Sequence, residues 1–136
     1  MLFANFKAMP ALLKIITIYC MGVALCSILA IVWPSAIAID GKPLSYEQIW
    51  DQGYLPFFAL GCVPFAVAGW LLLVRNSWGR VTFIAALVLL QILTLIFFGL
   101  PAQWPVAIAS NLIPFVFFGA YLYWRKSVLE YFAGAL

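Results

Sequence analysis

Apolar residues gather in four long runs separated by polar or proline-containing breaks, with neither the strict alternation of a strand nor the one-sided stripe of a surface helix. The runs cover roughly 11–33, 55–74, 81–100 and 106–124, and they stop at Pro34, Arg75, Pro101 and Arg125. Each approaches the ~20 residues a helix needs to cross a hydrocarbon core of about 30 Å. Helix is the predicted form of every run, because unpaired backbone groups are too costly in hydrocarbon. The alternating ten-residue segments of an outer-membrane barrel are not seen in the sequence. The pattern therefore predicts an all-α membrane protein: a four-transmembrane-helix bundle forming one domain over 1–136.

The breaks are unequal. Segments 75–80 and 101–105 are short enough to act only as tight links, which makes consecutive spans antiparallel neighbours. Segment 34–54 has room for structure. Asp40, Gly41, Lys42 and Pro43 read as a turn. Ser45 stands three residues before Gln48, the spacing of a capping box, and predicts a short helix from Tyr46 to about Gln52 that ends at Gly53. On that helix Tyr46, Ile49 and Trp50 share one face, and Glu47 and Asp51 share another. It is expected to lie flat at the outer interface with its carboxylates in water. The aromatic face and the two carboxylates are candidate partner contacts; for Glu47 and Asp51 the plainer reading is a solvated face.

Composition agrees with a lipid solvent. Hydrophobic residues make up 68% of the chain and charged residues 8%, against about half and a quarter in soluble domains. The few charges are sorted. Lys7, Lys14, Arg75, Arg80, Arg125 and Lys126 fall on the side of both termini, and only Lys42 falls on the other, with Asp40, Glu47 and Asp51. By the positive-inside rule both termini are cytoplasmic. Trp33, Trp50, Tyr54, Trp78, Trp104, Tyr123 and Trp124 fall near the expected interfaces, as an aromatic belt does. The net charge of +3 follows from this sorting and implies no nucleic-acid partner. The first run, with Lys7 and Lys14 before it and Ala36-Ile37-Ala38 after it, has the outline of a signal peptide. It is longer than a usual signal core and is read as a retained span.

Two internal patterns stand out. The second and fourth runs match at an offset of 50 residues, pairing Pro64 with Pro114, Phe65 with Phe115, Gly69 with Gly119, Leu72 with Leu122, Arg75 with Arg125 and Ser77 with Ser127. This is either a duplicated hairpin or the convergence usual among membrane helices; the first and third runs offer no comparable match. Pro64 and Pro114 each remove a helix hydrogen bond and are candidate kinks. Gly22, Cys26 and Ala30 form a small-residue stripe on the first run, open to a neighbouring helix of the bundle or of a partner.

Candidate chemistry is sparse. There is no His, and no Asp or Glu lies inside a run, which removes the usual proton relay of a coupled exporter. Small multidrug transporters also have four spans but depend on a membrane-embedded Glu that has no counterpart here. Cys20, Cys26 and Cys62 form no Cys-x-x-Cys, so a four-helix thiol oxidoreductase is not indicated; a Cys26–Cys62 disulfide is conceivable, and small packing residues are the plainer reading. Gln91, Ser110 and Asn111, with Thr17, Ser27 and Thr94, are the polar residues of the runs. They are read as hydrogen bonds between helices, or else as a polar path. No catalytic, metal or cofactor residues are expected.

The tail from Tyr121 to Phe132, with Arg125, Lys126, Val128 and Phe132, resembles the basic, Val- and Phe-containing end of small four-span bacterial inner-membrane proteins of the DUF2569-type. Leu129 and Glu130 depart from that family's more basic tail. The resemblance implies a multi-pass location in a bacterial inner membrane and the same topology, and it brings no catalytic residues. The function expected is therefore a non-enzymatic accessory or interaction protein: a regulator, a complex subunit or a toxin-immunity type, acting through its helices and first outer loop. Its expected partners are the lipid bilayer and another membrane protein or further copies of itself. The alternative is a small oligomeric transporter or channel with Gln91, Ser110 and Asn111 along its path.

Overall fold

Pro10 opens the first long helix, since a ring that fixes φ and lacks an N–H suits a helix start and not a helix interior. In the computed structural model, which describes residues 2–36, 38–39, 41–43, 45–99 and 104–134 (side chains at 36, 39, 98, 104–111 and 114 aside), α1 spans Leu2–Ala8 and α2 spans Ala11–Val32. A 3-10 turn follows at Pro34–Ala36, then β1 (Ala38–Ile39), β2 (Lys42–Pro43) and α3 (Tyr46–Asp51). The rest is helical: α4 (Tyr54–Leu73), α5 (Trp78–Phe98), α6 (Trp104–Trp124) and α7 (Lys126–Phe132). Three of these, α2, α4 and α5, are long and apolar enough to cross a membrane. No more than 33% of the apolar window of any of them is buried, so most of their surface is apolar and faces outward, which water would not tolerate. The 21-residue α6 has an apolar described stretch at Phe115–Trp124.

The helix bounds fall within three residues of the apolar runs. The largest shift is at α5, which starts at Trp78 and not at 81. Asn76 accounts for it: its side-chain oxygen accepts from the Trp78 N–H at 3.0 Å and its carbonyl accepts from the Gly79 N–H at 2.9 Å, drawing the polar link into the first helical turn. At the other end α5 stops at Phe98, where Gly99 takes φ 74°, a left-handed conformation open to glycine. The helix α1 was not foreshadowed by the pattern. Both α4 and α6 stay helical through Pro64 and position 114.

The core joins α2, α4 and α5, with α4 between the other two. Its buried residues are Met9 before α2, Leu13, Ile16 and Cys20 of α2, Phe65, Ala68 and Leu72 of α4, Phe83 and Ala86 of α5, Leu122 of α6, and Val128 and Tyr131 of α7. Close approach depends on two glycines. A Cβ on Gly69 would lie 2.8 Å from the sulfur of Met21 and 3.2 Å from Cβ of Cys20. A Cβ on Gly79 would lie 2.8 Å from the backbone nitrogen of Leu72 and 3.0 Å from the carbonyl carbon of Leu71.

The end of the bundle that carries α1 and α7 is closed by backbone accounting. A helix leaves its last carbonyls unpaired, and α4 satisfies its own in three ways. The Arg75 N–H donates to Leu72 O at 3.3 Å and the Asn76 N–H to Leu71 O at 2.9 Å, the paired bonds of a Schellman ending. The Asn5 side chain of α1 donates to Leu73 O at 3.0 Å. The Tyr131 hydroxyl of α7 donates to Leu72 O at 3.0 Å. Arg75 holds the left-handed position, φ 60°, at a cost of about 1–2 kcal/mol for a residue with a Cβ, and its guanidinium lies over the Tyr131 ring at 4.9 Å. Burial pushes the Tyr131 phenol above its ordinary range, against the pull of Arg75.

The offset-50 pairs agree in part. Leu72 and Leu122 are both fully buried. Gly69 is wedged against α2, whereas a Cβ on Gly119 would meet nothing within 4 Å. Arg75 is left-handed, whereas Arg125 is extended and precedes α7.

Candidate functional site

The loop between α2 and α4 builds a cap on the opposite end of the bundle. Its first part is a minimal antiparallel hairpin in which Ala38 faces Pro43 and Ile39 faces Lys42, with Gly41 at φ 77° in the turn. An Asp-Gly pair favours this kind of tight turn; Asp40 itself lies outside the described residues. Its second part is α3, started as its sequence requires. The Gln48 N–H donates to the Ser45 hydroxyl at 3.2 Å, and the Ser45 N–H donates to Gln48 Oε1 at 3.0 Å, completing the capping box. Replacing Ser45 with Ala should cost the helix about 1 kcal/mol. The check is amide hydrogen exchange: the Gln48 N–H should lose protection while α4 keeps its own.

Two contacts fix α3 to the bundle. Ile49 is fully buried, and α3 packs on α4. The Tyr46 hydroxyl donates to Val32 O at 2.8 Å, satisfying a carbonyl at the end of α2. Ile49 therefore anchors the helix and presents nothing to a partner, which corrects its place among the candidate contacts: the turn that exposes Tyr46 and Trp50 points Ile49 inward. Tyr46 is 56% and Trp50 60% exposed, with Glu47 and Asp51 exposed beside them. These four side chains are the predicted contacts that the structure brings together. Gly53, at φ 73°, ends α3 and opens α4, and its missing Cβ leaves room for the Phe97 ring.

The described polar residues of the spans have different settings. The buried stripe of α5 runs through Phe83, Ala86 and Leu93, and Gln91, off that stripe, is exposed. The side chains of Ser110, Asn111 and Pro114 lie outside the described residues. Thr94 and Thr17 differ from the expectation of interhelical bonds. Their hydroxyls donate to carbonyls one turn back in their own helices, Leu90 at 2.8 Å and Leu13 at 2.9 Å. A threonine that can bond its own helix has no need of a neighbour. Between α4 and α2 a sulfur-based bond forms among the described residues: Cys62 Sγ donates to Ala24 O at 3.5 Å. All three thiols are free.

The small-residue stripe of α2 faces outward over much of its length. Gly22, Cys26 and Ala30, with Tyr19 and Phe58, line an open apolar groove of about 570 Å³, and nothing lies within 4 Å of a Cβ built on Gly22. Among the described residues no three His, Cys, Asp or Glu side chains come together as a metal site would need.

What sequence reasoning missed lies at the terminal end, where Arg80 is held between two rings, Tyr123 and Phe132, at 5.0 Å from each. The aromatic residues beside Arg125 in Tyr123-Trp124-Arg125, and the pair Tyr131-Phe132, carried the signal, but pairing them with Arg80 needs the fold. Compared with known proteins, the chain matches no family model, no curated protein and no solved structure.

Proposed function

We propose that this chain is a four-span integral protein of a bacterial inner membrane, with both termini in the cytoplasm, and that it acts without enzymatic chemistry as an accessory or interaction subunit. The fourth span in this reading is α6. The orientation rests on the sorting of the basic residues. The partner is another membrane protein or a second copy of the chain, engaged through the exposed face of α3 and the lipid-facing helices.

The observation that supports this most is the construction of α3. A six-residue helix is too short to hold itself together in water. This one has a complete capping box, a buried Ile49 anchor and a hydroxyl tie to α2. The face so held offers Tyr46, Glu47, Trp50 and Asp51, aromatic and acidic groups on a rigid support, which suits recognition.

A photo-crosslinking side chain placed at position 50 in native membranes should give one discrete protein adduct, identified by mass spectrometry. Replacing Tyr46 and Trp50 together with Ala, leaving the Ile49 anchor, should lower the yield of adduct from a crosslinker at position 47 by about tenfold, as loss of an aromatic anchor does. Protein adducts at neither 47 nor 50 would remove the interaction reading. An enzyme that reports only from outside the cytoplasm should be silent when joined after Leu136 and active when inserted at Lys42; activity at Leu136 would reverse the orientation.

A further inference from the structure

Arg80 carries a charge that the described residues leave largely uncompensated. It sits in the first turn of α5, which holds no acidic residue, and a cation there opposes the positive end of the helix dipole. One guanidinium nitrogen donates to Leu122 O at 3.4 Å, and Nε is sealed from solvent with no partner among the described residues. No carboxylate of the described residues lies within 4.0 Å of it. Glu130, the one acidic residue on this side of the spans, is 3.7 Å from Lys126. The side chain is partly exposed. Its position is nonetheless fixed, since the rings of Tyr123 and Phe132 each stand 5.0 Å from the guanidinium carbon. Exposed Arg125 and Lys126 follow directly on α6 and add positive charge to the same end.

A planar, preorganised guanidinium with unused donors is the side chain best suited to a phosphate. The apolar spans end at this level, where lipid headgroups lie. We infer that Arg80 is the seat of an anionic phospholipid, its phosphate accepting from the guanidinium held between Tyr123 and Phe132, with Arg125 and Lys126 contributing field and not contact. The inference rests on the membrane reading above. The bound lipid would tie α5, α6 and α7 to one leaflet, with the ring pair setting the angle of the guanidinium.

The test uses the full chain, extracted from membranes in detergent, stripped of lipid and titrated with phosphatidylglycerol under native mass spectrometry. Phosphatidylglycerol adducts should exceed diacylglycerol adducts, and inorganic phosphate should not displace the lipid. Arg80→Gln should lower the adduct population about fivefold, the effect of one basic contact at a membrane surface. The double variant Arg125→Gln, Lys126→Gln should lower it less than Arg80→Gln does. If Arg80→Gln fails to accumulate, Arg80→Lys carries the test: its ammonium has no planar fork, and a loss of about threefold is expected. Any one of four results overturns the proposal: wild-type retention in the Arg80 variant tested, diacylglycerol retained as well as phosphatidylglycerol, displacement by inorganic phosphate, or a larger loss in the double variant. A chain absent from the membrane fraction would instead remove the membrane reading.

Discussion

Gly79→Ala should destabilise the protein, although the same change in an ordinary helix stabilises it. Alanine in a helix gains roughly 0.5–1 kcal/mol over glycine. At Gly79 the added Cβ would stand 2.8 Å from the backbone nitrogen of Leu72 and 3.0 Å from the carbonyl carbon of Leu71. Those are backbone atoms in the last turn of α4, held by the Schellman bonds, and they cannot rotate aside as a side chain would. Overpacking of this kind costs about 1–3 kcal/mol, more where nothing yields. Gly22→Ala is the matched control: its Cβ meets nothing within 4 Å, so the ordinary gain should appear. Thermal unfolding of the detergent-solubilised protein, followed by tryptophan fluorescence, should move the two variants in opposite directions. Movement in the same direction would show that the α4–α5 turn is not packed as described.

Tyr131→Ala should be the most damaging single change in α7, and Tyr131→Phe should be mild. The tyrosine is fully buried, and truncating a buried ring to Ala costs about 3–5 kcal/mol. Phenylalanine keeps the ring beneath Arg75 and loses the hydroxyl's hydrogen bonds, to Leu72 O and with Arg75, worth about 1 kcal/mol each. The Leu72 carbonyl is not orphaned in either variant, because the Arg75 N–H still donates to it. Cleavage by a protease added to the detergent-solubilised protein should reach the C-terminal segment of Tyr131→Ala first and leave Tyr131→Phe close to wild type. Equal sensitivity of the two would mean that α7 does not dock through this ring.

The long helices were legible because length and apolar content alone set them, and the capping box of α3 was legible because it is local: Ser45 and Gln48 are three residues apart and need no fold to find each other. Burial on α3 was not legible. Tyr46, Ile49 and Trp50 share a helical face by spacing, yet only Ile49 is buried, and that depends on where α4 passes. The short α1 escaped notice because its anchor, Asn5 to Leu73 O, spans 68 positions. The threonines were misjudged for a physical reason: a hydroxyl one turn from its own carbonyl satisfies itself locally, and sequence cannot show which acceptor wins. The clamp around Arg80 was hidden in the same way, joining three helices through residues that separately read as interface aromatics and a flanking charge.

The closure of α4 has a consequence for how the chain is made. Asn5, the donor for Leu73 O, is synthesised long before its acceptor, whereas Tyr131 follows Leu72 by 59 positions. At about 5–20 residues per second the ribosome adds Tyr131 some 3–12 s after Leu72. Until then α7 cannot cover Arg75 or close over the carbonyl, and that corner of the bundle stays wet. Synthesis of α7, and not of the long helices before it, is thus the event that closes this corner. A chain cut just before Lys126 would keep every long helix and leave that end never shut, a ready substrate for quality control.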